Sequence, residues 1–580
     1  MKNMFLFLII ILLITGCEGR DMVGFDQDVI TYDAVSSDIL SGDTEVIKRY
    51  PDCGSYLSSG FHLIPSEGEE GFDPELAKKV RRYDRLYHTF VTYAHGANTE
   101  LTISNNSIEK REKLRKFLYE YDGWDLNEFE RGLKATDIVE GWDKSAGLYA
   151  GAGIAADAMR YALLRDSGAD CKEIEIARDQ LKKSIDTLHI AFRIAATHGV
   201  VARGFASKVF DGIGKNIQPV PLFDENGNPL PIEKNNGTWR EDLSGEYPEL
   251  FWEDSISRDM MLGWALASAV VKEIIWEDPG FSIEIKKRLK DDATQIGEEL
   301  RKKRSSGYDL EFPDADGRTT FHGYINENNV DGTYIDGLEN GFYATMALGI
   351  VGAFAYVSED KEANDYLLKV LIKKRELHKI ASENMKFVNM GPVSNFSNYN
   401  MVMISAFLAM RYLPDKDARD EIAKAVEIQI YNVPGYDRQP VEMKQTLFDV
   451  IYAYSKTGGS VFSEPDGIYE ASAIERGLET LDEFPDAPFY DVLVENCDEN
   501  EINSGVCTLN DGTVVTVLGY KGRNGSLITK EPIPMRVRPP SNFYWRSNPY
   551  VPNDGGDGSR LLPGVDLRFA YYLGRYLRYK

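Results

Sequence analysis

Stretches that are apolar almost all round alternate along this chain with stretches apolar on one face only. Residues 147–164, 257–275, 336–357 and 398–413 are small and apolar with few polar interruptions, whereas 173–198, 283–303, 364–380 and 418–430 are strongly charged on one side. A helix wrapped in other helices must be apolar around its circumference, while an outer helix buries one stripe, so the alternation predicts two concentric helical layers. Helical spacing also runs through 74–121 (Leu76, Val80, Tyr83, Leu86, Phe90), with Pro74 suited to a first turn, and through 441–454, 471–480 and the aromatic tail 565–579. No repeat of fixed period appears, which excludes a regular solenoid. The expected fold is mainly α, a ring of helical hairpins over residues 76–580. Two turn-rich β excursions interrupt it, near 200–249 and 506–535, the second predicted to turn at Asn524-Gly525.

The stretch 251–264, Phe-Trp-Glu-Asp-Ser-Ile-Ser-Arg-Asp-Met-Met-Leu-Gly-Trp, puts polar groups at the start of such an inner helix, with Ser255 or Ser257 as cap and Asp259 in the first turn. The pattern recurs in Trp142-Asp143-Lys144, in Asp331 to Asp336 with Glu339-Asn340, in Asn398-Tyr399-Asn400 and in 554–566. Inner helices of a hairpin ring run parallel, so these starts are expected on one rim around a shared cavity. Acids, amides and flat rings facing a cavity suit a sugar, whose hydroxyls take hydrogen bonds and whose faces stack.

Glycoside cleavage needs two carboxyls about 5 to 9.5 Å apart. The candidates are Asp254 or Asp259 facing Asp331 or Asp336. Arg258, His322, Tyr324, Asn340, Asn398, Tyr399, Asn400, Trp142 and Trp545 are the expected substrate-binding residues. Two alternatives stay open. A lyase would use Tyr399 or His322 as base, with Asn398, Asn400 or Arg258 neutralising a uronate carboxylate. A non-enzymatic glycan-binding or envelope-scaffold protein needs the cavity alone. Each acid also has a purely structural reading as a helix cap or ion-pair partner, and His198 reads as a cation closing a helix.

The chain opens with Lys2, an apolar run over 4–14 and then Thr15-Gly16-Cys17. That run is too short to cross a bilayer core of about 30 Å and has the form of a secretory signal. Leu13-Ile14-Thr15-Gly16-Cys17 resembles the lipobox of bacterial lipoproteins. The resemblance implies that 1–16 are removed, that Cys17 is lipidated, and, with Glu18 following, that the outer membrane is the destination. Residues 17–75 are acidic and read as tether and lead-in, and no later stretch is expected to cross a membrane.

Lys and Arg number 66 against 92 Asp and Glu, a net charge of −26, which argues against nucleic acid as partner. With Cys17 set aside, Cys53, Cys171, Cys497 and Cys507 remain, and Cys497 with Cys507 across a polar loop is the expected local disulfide. The Cys and His spacings fit no zinc set, so no metal or cofactor is expected, and the protein is read as a monomer.

Four segments carry a further resemblance: Gly147-Leu-Tyr-Ala-Gly-Ala-Gly-Ile154, His198 to Phe205, Asp254-Ser-Ile-Ser-Arg-Asp259, and Trp545 to Tyr550 with Leu562-Pro-Gly-Val-Asp566 and Leu573-Gly-Arg-Tyr576. They look like the six-hairpin glycosidase-like proteins. Over 76–580 this implies an (α/α)6 toroid of a superfamily holding inverting hydrolases, polysaccharide lyases and epimerases. A membrane-anchored protein that binds an oligo- or polysaccharide and cleaves it as a glycoside hydrolase is the resulting expectation.

Overall fold

The computed structural model describes residues 61–579 except 229, 231–236, 389–390, 499 and 501–503. The leader, Cys17, Cys53 and most of the tether lie outside the described residues.

Six helices form an inner ring: α4 (Gly147–Asp166), α6 (Arg258–Ile275), α8 (Gly341–Ser358), α11 (Phe396–Tyr412), α13 (Thr446–Ser455) and α15 (Val565–Tyr576). Each packs on the next, and α15 returns to α4 to close the circle. Outside them lie α1 (Pro74–Leu86), α5 (Cys171–Arg193), α7 (Ile283–Arg301), α9 (Lys361–Asp365), α12 (Lys416–Ala425) and α14 (Ala471–Asp482). Three of these, α1, α9 and α12, continue as π-helical turns at Tyr87–Val91, Tyr366–Ile372 and Val426–Tyr431. Three further helices, α2 (Ile108–Glu120), α3 (Leu126–Phe129) and α10 (Leu377–Glu383), fill the connections. The molecule is an (α/α)6 toroid with small β insertions.

The two layers follow from side-chain chemistry. Helix α8 contains no charged residue and is buried nearly throughout, while α7 buries Leu289, Ala293, Ile296 and Leu300 on one side and exposes Glu284, Lys287 and Asp291 on another. Although α8 is long and apolar enough to cross a membrane, contrary to the expectation above, it is enclosed in the ring. Between α4 and α6 the backbones touch, for a Cβ on Gly151 would stand 2.0 Å from the Gly263 carbonyl oxygen. Layers are tied together by the buried Arg568 of α15, which donates to Asp84 of α1 at 2.7 Å and Asp157 of α4 at 2.6 Å.

The inner helices run parallel. Gly147 in the first turn of α4 lies against Met260 and Trp264 in the first two turns of α6. At the opposite face Glu273, near the end of α6, accepts hydrogen bonds from Arg411 and Tyr412 at the end of α11 and from Tyr576 at the end of α15. Amino ends therefore share one rim and carboxyl ends meet across the other.

Several element boundaries differ from expectation. The 74–121 run is split by the strand Leu101–Thr102, and α5 stops at Arg193, so that His198 lies in the following turn and meets Glu298 at 2.9 Å. Ala196 there takes φ 48°, a left-handed conformation that ends helical progress. The 364–380 run breaks at Glu376 for the same reason, with φ 51°.

The first β excursion is a three-stranded antiparallel sheet whose middle strand, Leu250–Asp254, leads directly into α6, flanked by Gly204–Ser207 and Thr238–Glu241. In the second, Val506–Thr508 pairs with Val514–Thr516 around Gly512, and Asn524-Gly525 turns a looser excursion closed by a Val517–Thr529 bridge. The Cys497–Cys507 disulfide is present, and Cys171 is also disulfide-bonded.

Candidate functional site

The site is built where strand becomes helix. Leu250–Asp254 ends three residues before α6, and the chain reverses through Ser255 at φ 66°, a conformation uncommon outside glycine. Ser257 holds the cap position, but its hydroxyl does not close on the helix N–H groups. It donates instead to the Asp259 carboxylate, while accepting from Arg203 Nη1 at 2.6 Å. Arg203 also faces Glu253 at 3.7 Å, and Glu253 takes Lys144 Nζ on both oxygens at 2.8 Å. Asp259 is thus half-buried in a first helical turn and oriented through a two-step hydrogen-bond chain.

Arg258, one residue earlier, rests its guanidinium over the rings of Tyr343 (5.1 Å) and Tyr324 (5.5 Å), where their quadrupoles favour a cation. Its Nη2 reaches Asp331 Oδ1 at 3.4 Å, and the Tyr343 hydroxyl reaches the same oxygen at 3.3 Å. The Asp331 carboxylate remains 77% exposed. His322 stands within electrostatic reach of Arg258, Asp259, Asp331 and Arg203. Burial, then the Arg258 charge, holds the imidazole below its usual range and keeps the ring neutral at neutral pH. Its Nδ1 has no hydrogen-bond partner among the described residues.

Across the rim, residues 541–550 form a plug. Phe543 stacks face to face on Tyr149 of α4 at 3.4 Å, and Arg546 donates to the Tyr149 hydroxyl. Tyr544 N–H donates to Asp566 of α15 at 2.9 Å, and its carbonyl accepts from Gln445, the cap of α13, at 2.5 Å. Trp545 packs edge-on against Phe569, and Tyr550 lies 5.9 Å from Phe396 at the start of α11. Between α13, α14 and α15 beside it is a space of about 20 Å³, lined by Gln445, Thr480, Leu481, Tyr544, Trp545 and Asp566, room for one water. Burial lifts the Asp566 carboxyl to about 7 despite two backbone N–H donors. Residues 541–550 therefore cover the starts of α4, α11, α13 and α15. Beside the starts of α6 and α8, Asp259 and His322 are half-buried and Asp331 is exposed.

The structure divides the expected residues accordingly. Asp259, Arg258, His322, Tyr324 and Asp331 come together beside the starts of α6 and α8. Asp254 does not: it is 1% exposed, its Oδ2 accepts from Arg240 at 2.7 Å, and Oδ1 takes the Ser255 and Ala315 N–H groups. Asp336 is exposed and accepts from Tyr308, which stacks on Tyr334, away from Arg258. Asn340 caps α8, its carbonyl oxygen taking Phe342 and Tyr343 N–H. Trp142 donates to the Phe90 carbonyl at 2.9 Å and stacks on Tyr93, inside the wall.

Trp545 belongs to the plug. Tyr399 packs near Phe396 under it, and Asn400 is fully buried in α11, its amide atoms unpartnered among the described residues; Asn398, in the first turn of α11, is half-buried. Residues the sequence did not single out are Arg203, Ser257 as hydroxyl relay, Tyr149, Tyr343 and Arg546. A pairwise bond such as Arg203 to Ser257 leaves no periodicity to read.

No protein-family model matches the chain, and no curated protein matches it. Among solved structures it is similar to a sugar epimerase from a ruminal bacterium (9% identity, 86% of this chain and 97% of that one, TM-score 0.38). It is similar also to the cellulase Cel9M of C. cellulolyticum (10% identity, 87% and 98% covered, TM-score 0.35) and to the unsaturated glucuronyl hydrolase of Bacillus sp. GL1 (12% identity, 70% and 93% covered, TM-score 0.26). At these scores no chemistry transfers, and the site is read from its own residues.

Proposed function

We propose that this chain is a glycan-active enzyme, a glycoside hydrolase whose site is the α6–α8 side of the toroid rim. The observation that supports it best is Asp259, a half-buried carboxylate in the first turn of α6, oriented through Arg203 and Ser257 rather than consumed as a cap. Asp331, across Arg258, is the second carboxylate of the pair. One of the two protonates the leaving oxygen as the glycosidic C–O bond breaks. The other activates water or attacks the anomeric carbon. Arg258, backed by Tyr324 and Tyr343, orients the sugar hydroxyls. Asp254 and Asp336 drop out of the proposed pair because their partners turn them elsewhere.

Asp259→Asn and Asp331→Asn should each lower cleavage by about 10²-fold or more, with circular dichroism unchanged. Wild-type turnover in both variants would discard the assignment. One observation supports a lyase reading second: a neutral His322 with a free Nδ1 beside Arg258 has the parts for proton abstraction next to a uronate carboxylate. An unsaturated product absorbing in the ultraviolet separates the two chemistries.

The proposal places this body in the bacterial cell envelope, held by lipid on Cys17 at the outer membrane and acting as a monomer on an oligo- or polysaccharide.

A further inference from the structure

Of the five cysteines, Cys497 and Cys507 hold one another. Cys171 is disulfide-bonded as well, so its partner within the chain is Cys53 or Cys17. Cys171 is the first residue of α5, reached from the end of α4 by a short turn in which Gly168 takes φ 66° and Ala169 N–H donates to the Leu164 carbonyl at 3.1 Å. Asp166, the last residue of α4, faces Arg578 Nη2 at 3.9 Å. Arg578 in turn stands opposite His62 where Phe61–His62 pairs with Arg578–Tyr579. One arginine thus joins the turn before α5 to the first described residues of the chain. Cys53 is eight residues before Phe61, a span that reaches up to about 28 Å when extended. Cys17 is far more distant in sequence, and closing the longer span costs more chain entropy.

All of this lies at the carboxyl rim. Helices α4 and α15 both end there, and Tyr576 of α15 donates to Glu273 near the end of α6 at 2.7 Å. Asp259 is at the other end of α6, an 18-residue helix about 27 Å long.

We propose that Cys53 is bonded to Cys171 and that the bond fixes the point at which the acidic lead-in leaves the body, on the rim away from Asp259. This rests on the lipoprotein reading, which commits the Cys17 sulfur to lipid and the chain to an oxidising compartment. As the S–S bond forms, the two thiols lose two protons and two electrons, and a disulfide donor of that compartment takes them up and becomes a dithiol. What the bond adds is hold. Phe61–His62 is a strand of only two residues, followed by Leu63 N–H on the Leu577 carbonyl and Ile64 N–H on that of Gly574, each at 2.9 Å. With Cys53 secured, a pull on the lead-in falls on the start of α5 rather than on that strand.

The full-length protein, purified in detergent, is alkylated without reductant and cut with trypsin. Cys53 then falls on peptide 50–78, Cys171 on 166–172, Cys17 on the peptide ending at Arg20, and Cys497 with Cys507 together on 477–521. The expected species by mass spectrometry is 50–78 joined to 166–172, parting on reduction. Peptide 166–172 joined to the Cys17 peptide would overturn the bond and the lipid reading together. Peptide 166–172 alkylated, or paired with its own copy, would overturn the bond and leave the lipid reading intact. The expected pair beside an unlipidated Cys17 would remove that reading and keep the bond. Cys53→Ser tests the hold: by hydrogen exchange the Leu63 and Ile64 amides should open at least several-fold faster than in wild type, with Met261 and Leu262 of α6 unchanged. Equal exchange at Leu63 and Ile64 would overturn the fixing role.

Discussion

Asp254 and Asp259 are five residues apart and alike in sequence setting, yet the structure gives them opposite fates. Asp254 forms a sealed pair with Arg240, both at 2% exposure or less, whereas Asp259 is only half-buried. Removing one member of a buried pair leaves the other charge uncompensated in a low-dielectric interior. Asp254→Ala should accordingly cost about 3–5 kcal/mol in denaturant unfolding, whereas Asp259→Ala should change stability little and activity greatly. Equal stability losses in both would contradict the division of roles. Types and order of the rim residues are readable in the chain, but their partners are not. Arg240 is fourteen residues from Asp254 and meets it only because two strands of a sheet pair in that register.

Among the elements, the closest approach in the ring is between α4 and α6, where Gly151 and Gly263 let backbones meet. An added Cβ at Gly151 would fall 2.0 Å from a carbonyl oxygen that belongs to main chain and cannot rotate away. Gly151→Ala should force the helices apart and cost about 2–3 kcal/mol or more, and it should disturb Asp259 because that residue rides on the first turn of α6. Thermal unfolding together with turnover reads both effects; a variant as stable and active as wild type would show that the ring has slack there. The inner helices themselves were legible, since 147–164 and 257–275 lack a charged face wide enough for solvent. Their exact ends were not. Left-handed residues at Ala196 and Glu376 stop α5 and the α9 run, and neither Ala nor Glu is a recognised helix terminator.

For the whole molecule, residues 1–60 lie outside the described structure, and the proposed anchor is tested on the intact chain. Cys17→Ser should move the protein from the membrane to the soluble fraction of the host and abolish incorporation of labelled palmitate. Retention of both would remove the lipoprotein reading without touching the toroid.

The chain by itself determined the layered helical body and the parallel inner ring, because burial on every side demands apolar side chains at every position and hairpin connectivity sets direction. It also determined the Cys497–Cys507 bond, since only nine intervening, mostly polar residues keep the two thiols near one another. Only the tertiary structure decided which helix starts are covered. That depends on where 541–550 comes to rest, through contacts with residues hundreds of positions away such as Tyr149, and long-range packing of that kind has no period or spacing along the chain to announce it.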